Sequence, residues 1–164
     1  MTTTLRGWLA LVPRLLLAGV WLYAGASKAS DLPGSIRAVN AYQLMPYDAA
    51  QVVGAALPFV ELMLGVLLLA GLGQRATAIA SAILLAGFVA GIAAAWARGL
   101  RIDCGCFGGG GALAEGSAPR YGIEIARDIG LLLAAGLLAA WPRTPVSIDA
   151  ALTVTEPTAL KESQ

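Results

Sequence analysis

A chain of 164 residues with 58% hydrophobic and 13% charged side chains has a mean hydropathy of +0.74, whereas soluble domains carry about 25% charged residues, so an ordinary water-soluble globule is excluded. The net charge of +1 gives no reason to expect nucleic acid or a strongly acidic partner. There is no histidine, which removes imidazole acid/base chemistry, imidazole haem ligation and His-containing zinc sites and leaves two cysteines as the most reactive groups.

At about 20 residues per membrane-crossing helix, four apolar runs fill most of the chain. The first covers 8–26, with Pro13 in its first turns, where a missing N–H costs least, and Trp8 at the interface. The competing reading, a cleavable signal peptide, rests on Arg6 ahead of the apolar stretch and on the small residues Ala24-Gly25-Ala26. Arg14 lies inside the run and must snorkel or find an acidic partner.

Residues 27–48 are too polar to span. Asp31 can cap a short helix entered at Pro33, and Leu32, Ile36 and Val39 share one face, which predicts a surface helix over one end of the bundle, ending near Pro46. Lys28 opens this segment, either as an interfacial anchor or as a cation beside a thiolate or quinone.

The second run, 49–72, contains Pro58 and Glu61. A carboxylate about ten residues into a helix is roughly 15 Å deep, near the bilayer centre, and must be paired, protonated or turned to a polar cavity. A short turn at 71–75 makes the second and third runs antiparallel neighbours. The third run, 76–97, has no charge, and Gly87 and Gly91 are spaced for close helix packing.

The loop 98–120 holds Asp103-Cys104-Gly105-Cys106-Phe107 and then Gly108 to Gly111. Two thiols separated by one residue can close a disulfide only if the backbone bends, and Gly105 has the freedom for it. So small a ring gives roughly 1.6 kcal/mol of chain-entropy stabilisation, too little for a structural staple. Cys104 and Cys106 therefore read as an exchanging dithiol/disulfide couple, with Cu(I) ligation by two soft thiolates as the alternative. Arg98 and Arg101 favour a thiolate and Asp103 opposes it.

The fourth run, 121–141, carries Glu124, Arg127 and Asp128 in the half nearest the loop. Each central charge costs about 2.5–3.5 kcal/mol in lipid, so these must face the bundle, pairing with one another or with Glu61, or lining a polar cavity or proton path. The chain thus reads as all-α: an integral membrane four-helix bundle over 1–142, with a short extracytoplasmic surface helix between helices 1 and 2, followed by a disordered cytoplasmic tail over 143–164. An even number of spans puts both termini on one side. Lys and Arg counts do not orient the bundle, but disulfide chemistry belongs outside the cytoplasm, which places the cysteine loop there and both termini inside.

The order Gly25 and Lys28, Tyr42-Gln43-Leu44-Met45-Pro46, Leu57-Pro58, Glu61-Leu62, Gly65, Asp103-Cys104-Gly105-Cys106-Phe107-Gly108 and Arg127-Asp128 resembles the methylamine-utilisation MauE branch of the DoxX-like membrane proteins. The resemblance runs through the fourth helix, and its most specific piece is the Cys-Gly-Cys-Phe-Gly stretch. It implies a multi-pass protein of the inner (cytoplasmic) membrane, a thiol-disulfide oxidoreductase component that exchanges electrons with an extracytoplasmic thioredoxin-like protein. Cys104 and Cys106 would be the redox pair, supported by Lys28, Glu61, Gly105, Phe107, Arg127 and Asp128. Membrane bundles of the DsbB and vitamin K epoxide reductase type couple such a disulfide to a quinone, and a quinone partner follows here by analogy alone. Those enzymes generally use a second cysteine pair, which this chain lacks, so shuttling through two internal disulfides is excluded. The alternative from another class is a non-enzymatic assembly or copper-delivery subunit with Cys104 and Cys106 as ligands.

Overall fold

The computed structural model describes residues 2–106, 110–114, 117–142 and 147–149. Five helices and one small hairpin follow in order: α1 (Thr2–Ala29), α2 (Leu32–Ala41), α3 (Tyr47–Ala70), α4 (Gln74–Ala97), β1 (Ile102–Asp103), β2 (Gly111–Ala112) and α5 (Tyr121–Ala140). Three helical segments, Gly7–Ala29, Tyr47–Ala70 and Gln74–Ala97, are long and apolar enough to cross a membrane. α5 spans 20 residues and differs from them by carrying Glu124, Arg127 and Asp128 in its first turns.

The four long helices share one core. Leu17, Ala18 and Trp21 of α1 meet Leu64 and Leu68 of α3, Ala78 and Leu85 of α4, and Leu131, Ala135 and Leu138 of α5. Trp21 is buried, and its indole N–H donates to the Ser81 hydroxyl at 3.0 Å, so its polar edge is satisfied inside this layer. The outward positions are apolar instead: Leu9, Val12, Val52, Phe59, Met63, Val66, Ile83 and Leu133 are all exposed, while Arg14, Lys28, Glu61 and Asp128 are buried. Water would penalise that distribution and a lipid surround would not.

Close contact between α1 and α3 comes from residues without side chains. A Cβ on Gly25 would stand 2.8 Å from the Pro58 carbonyl oxygen and 2.9 Å from the Leu62 nitrogen, and one on Gly65 would stand 2.7 Å from Leu22 Cγ. The glycines singled out on α4 are used differently. Gly87 meets nothing within 4 Å, and Gly91 faces the Tyr42 ring at an ordinary 3.6 Å.

Pro58, inside α3, fixes the position of α2. Proline has no N–H for the carbonyl four residues back, and that carbonyl belongs to Gly54. The Ser35 hydroxyl, on α2, donates to it at 2.7 Å in a buried contact. Gly54 also lets the two backbones touch, since a Cβ there would lie 2.6 Å from Ile36 Cα. α2 begins as the sequence suggests: the Asp31 carboxylate caps it by accepting from the Gly34 N–H at 2.9 Å.

Arg14 does not snorkel: it is buried, and the Asp149 carboxylate lies near enough to act on its charge. Its guanidinium donates to the carbonyls of Leu68 (2.6 Å) and Leu69 (2.8 Å) in the last turn of α3, where the helix dipole also favours a cation. Gly71 then ends α3 in the left-handed conformation. Most of the expected tail lies outside the described residues. Within it, the Asp149 carboxylate accepts from the Gly73 and Gln74 N–H groups at 3.0 and 3.1 Å and so caps the start of α4.

Ser35→Ala is expected to destabilise the detergent-solubilised protein by about 1–3 kcal/mol, because it leaves a buried carbonyl without a donor. In a Pro58→Ala background the restored N–H can bond to Gly54, and the same substitution should cost measurably less. Thermal unfolding of the four proteins checks this; equal costs in both backgrounds would remove the proline from the account.

Candidate functional site

The Cys104–Cys106 disulfide sits in the loop between α4 and α5, its Cα atoms 5.4 Å apart. Gly105 between them has φ +68°, a left-handed conformation in which a side chain would be strained, so the freedom expected of this glycine is used. The hairpin holds the loop closed, with Ile102 opposite Ala112 and Asp103 opposite Gly111. Gly110 (φ +87°) packs so tightly on Gly105 that a Cβ would come 2.6 Å from the Gly105 Cα.

Three backbone groups of the disulfide segment have side-chain partners from different parts of the bundle. The Tyr42 hydroxyl, just past α2, donates to the Cys104 carbonyl at 3.0 Å. Burial pushes the Tyr42 phenol well above its ordinary range, so it stays protonated as a donor. The Lys28 ammonium donates to the Cys106 carbonyl at 2.8 Å, and the Glu124 carboxylate takes the Cys104 N–H. Tyr121, the first residue of α5, accepts from the Ile102 N–H at 3.1 Å and donates to the Leu100 carbonyl. Tyr121 was not singled out by the sequence; an aromatic opening a helix gave no signal of a loop anchor.

Beneath the loop lies an ion pair. Lys28 Nζ meets Glu61 Oε1 at 2.5 Å, with the two side chains 5% and 0% exposed, and it stands 5.6 Å from the Phe88 ring centroid. Lys28 is therefore not an interfacial anchor, and the partner of Glu61 is Lys28 rather than Arg127. Arg127 bonds instead to its neighbour, with Nε donating to Asp128 Oδ1 at 2.8 Å.

Asp128 is 2% exposed, and one of its carboxylate oxygens lies within 4.8 Å of both cysteine sulfurs, which are likewise within that distance of each other. With the sulfurs bonded to one another they are not thiolate ligands, and the geometry is that of a carboxylate facing a disulfide. The two cysteines differ in environment: Cys104 is 7% exposed and Cys106 is more open. Arg98 and Arg101 turn away from the sulfurs, donating to the carbonyls of Tyr42, Gln43 and Ser117. Phe107, expected to support the site, lies outside the described residues.

The disulfide also forms part of the wall of a cavity of about 300 Å³. Its other walls are mainly apolar, from Val39, Leu57, Leu84 and Phe88 among others, with Lys28, Ser35 and Tyr42 as the polar groups. The open space beside Gly87 belongs to this cavity. A disulfide and a buried cation thus converge on one apolar hollow.

Compared with known families, residues 6–141 match the family described as methylamine utilisation protein MauE. The chain belongs to the MauE family. No curated protein and no solved structure matches it. The match covers α1 through α5 and includes every residue placed around the disulfide, which makes this MauE-family chain a multi-pass membrane protein associated with methylamine utilisation.

Lys28→Met is expected to cost about 3–5 kcal/mol, the range for breaking a buried ion pair, because it leaves the Glu61 carboxylate uncompensated. Arg37→Met, which breaks the exposed pair with Asp31, should leave thermal stability nearly unchanged. Similar melting temperatures for both variants would show that Lys28 does not neutralise a buried charge.

Proposed function

We propose that this protein is the membrane component of an extracytoplasmic thiol/disulfide electron-transfer system, with Cys104 and Cys106 as the exchanging pair. The observation that carries this reading is a disulfide between cysteines two residues apart, Cys106 less buried than Cys104, on the wall of an apolar cavity that is also lined by Lys28, the buried partner of Glu61. In this reading α5 is the fourth crossing, its charges turned into the bundle, and the protein is a four-helix DoxX-like membrane bundle. α2 covers the extracytoplasmic end beside the cysteine loop, and both termini are cytoplasmic.

The partner is a secreted thioredoxin-like protein whose exposed sulfur reaches Cys106, the more open of the pair. Thiolate attack on a disulfide sulfur gives a mixed disulfide, which the second cysteine of either protein resolves. Because the chain has no further cysteine, the electron pair must come from or go to a group outside it. The cavity's volume falls at the lower end of small-ligand sites, and its apolar walls with Lys28 and Tyr42 as polar groups fit a quinone head group. Bound there, a quinone would supply a two-electron acceptor from the membrane phase.

Cys104→Ser should trap a mixed disulfide between Cys106 and the partner in intact cells, identifiable by mass spectrometry as an extracytoplasmic thioredoxin-fold protein. No adduct from either single serine variant, together with thiols that copurify with stoichiometric copper, would overturn the exchange reading in favour of a copper-delivery role.

Gly87→Phe should fill the cavity from α4, where a new side chain meets no neighbour at its root. The reduced variant is expected to lose quinone reduction, measured with a short-chain quinone in detergent, while still exchanging with small disulfides. Unimpaired quinone reduction would detach the cavity from the acceptor.

A further inference from the structure

Among the described residues, Asp128 is the buried carboxylate with an oxygen within 4.8 Å of both cysteine sulfurs. Its Oδ1 accepts from Arg127 Nε, while Oδ2 is buried without a hydrogen-bond partner among the described residues. A buried acceptor left open is costly unless some state of the protein supplies a donor. The nearest chemistry able to do so is the dithiol form of the pair, since a carboxylate oxygen lies within 4.8 Å of both sulfurs. Water reaches Cys104 poorly, at 7% exposure, so a proton entering or leaving that sulfur needs a protein group to carry it.

Resting on the exchange reading above, we propose that Asp128 is the proton acceptor and donor for Cys104, the buried, resolving cysteine, while Cys106 is the sulfur that bonds to the partner. In the oxidising direction Cys106 is held in a mixed disulfide. The Asp128 carboxylate takes the proton of the Cys104 thiol as Cys104 Sγ attacks Cys106 Sγ. The Cys104–Cys106 bond forms, the bond from Cys106 to the partner breaks, and its electron pair leaves on the partner's sulfur as a thiolate. In the reducing direction the partner's thiolate attacks Cys106 Sγ, the Cys104–Cys106 bond breaks, and its electron pair goes to Cys104, which takes the proton back from Asp128. Each full cycle moves two electrons between this pair and the partner's.

The groups around Asp128 come from every packed element. α5 itself supplies Tyr121, Glu124 and Arg127, α1 supplies Lys28, α3 supplies Glu61 through its pair with Lys28, and the end of α2 supplies Tyr42. β1 supplies Asp103, next to Glu124, and the buried face of α4 supplies no titratable group. Lys28 is already engaged by Glu61 and the Cys106 carbonyl, and Glu124 holds the Cys104 N–H, which leaves Asp128 facing the sulfurs.

The test uses the full chain in detergent, reduced and then mixed with glutathione disulfide, and follows closure of the glutathione adduct on Cys106 by mass spectrometry across pH. Asp128→Asn is expected to slow closure by about 10²-fold or more near pH 7, within the span of general acid/base effects, with the deficit shrinking as pH passes the ordinary thiol value of about 8.5. Asp128→Glu, which keeps a carboxylate, should recover part of the rate. The wild-type profile is a second, independent reading: with an internal base, closure should change little between about pH 6 and 8, whereas closure through free thiolate rises about tenfold per unit. A tenfold-per-unit wild-type profile, or an Asp128→Asn protein that closes at the wild-type rate or is slowed equally at every pH, overturns the role of Asp128 while leaving exchange by the pair intact. A wild-type protein that forms no glutathione adduct removes the exchange reading itself, and the proposal with it.

Discussion

The ion pair between Lys28 and Glu61 is the constraint on which the upper half of the molecule depends. A lone carboxylate at the middle of α3 or a lone ammonium at the end of α1 would be several kcal/mol too costly to bury, and each becomes tolerable only because the other is 2.5 Å away. Their contact fixes the rotation of α1 against α3, and the remaining donor capacity of the ammonium fixes the loop by bonding to the Cys106 carbonyl. One cation thus joins two helices without cysteines to the segment that holds the disulfide. Replacing the pair by well-packed apolar residues could give an equally stable α1–α3 contact, but it would take away the tie to the cysteine loop.

Around that pair, the architecture repeatedly exploits absent backbone donors and absent side chains. Pro58 leaves the Gly54 carbonyl free, and Ser35 fills it, so a defect in α3 becomes the docking point of α2. The carbonyls of the last turn of α3 accept from the Arg14 guanidinium, and the open N–H groups at the start of α4 donate to the Asp149 carboxylate. In a molecule whose outer surface is largely leucine, valine and isoleucine, polar side chains find partners inside. The apolar effect contributes little to holding helices together in lipid, so such specific bonds and the close glycine contacts decide which helix lies against which.

Much of this was legible because membrane composition leaves few readings open. Runs of apolar residues broken by Asp31, Gly71-Leu72-Gly73 and the cysteine loop place the helices closely, and Asp31 caps α2 as its position suggested. Glu61 announced a buried partner by its depth alone. Which cation would meet it was not legible: the depth of Arg127 favoured it, whereas Lys28 at the end of the first run read as an interfacial anchor or a cation beside a thiolate or quinone, and their meeting depends on the close α1–α3 approach that the glycines at 25 and 65 allow between distant residues. The same holds for Tyr121 and Tyr42, whose hydroxyls anchor the loop across 19 to 62 residues of sequence. Arg98 and Arg101 illustrate the converse. Sequence proximity suggested that they act on the thiols, and their guanidinium groups are instead occupied by backbone carbonyls.

The absence of histidine shapes the chemistry that can be done here. Thiol/disulfide exchange moves protons as well as electrons, and in many proteins an imidazole with a pKa near neutrality carries them. In this chain the groups left for that task around the sulfurs are carboxylates, an ammonium and phenols. The ammonium is held by Glu61, and the Tyr42 phenol is driven by burial further from the range in which it could give up its proton. Glu124 is bonded to the Cys104 backbone. The arrangement therefore separates two duties that a histidine could combine. Lys28, Tyr42 and Glu124 hold the backbone of the dithiol segment in place, and the side of Asp128 that faces the sulfurs is left open for the proton. On the proposed exchange, a separation of this kind suits a site at the rim of an apolar cavity, because the positioning groups stay in place while a single carboxylate would change its proton count as the sulfurs open and close.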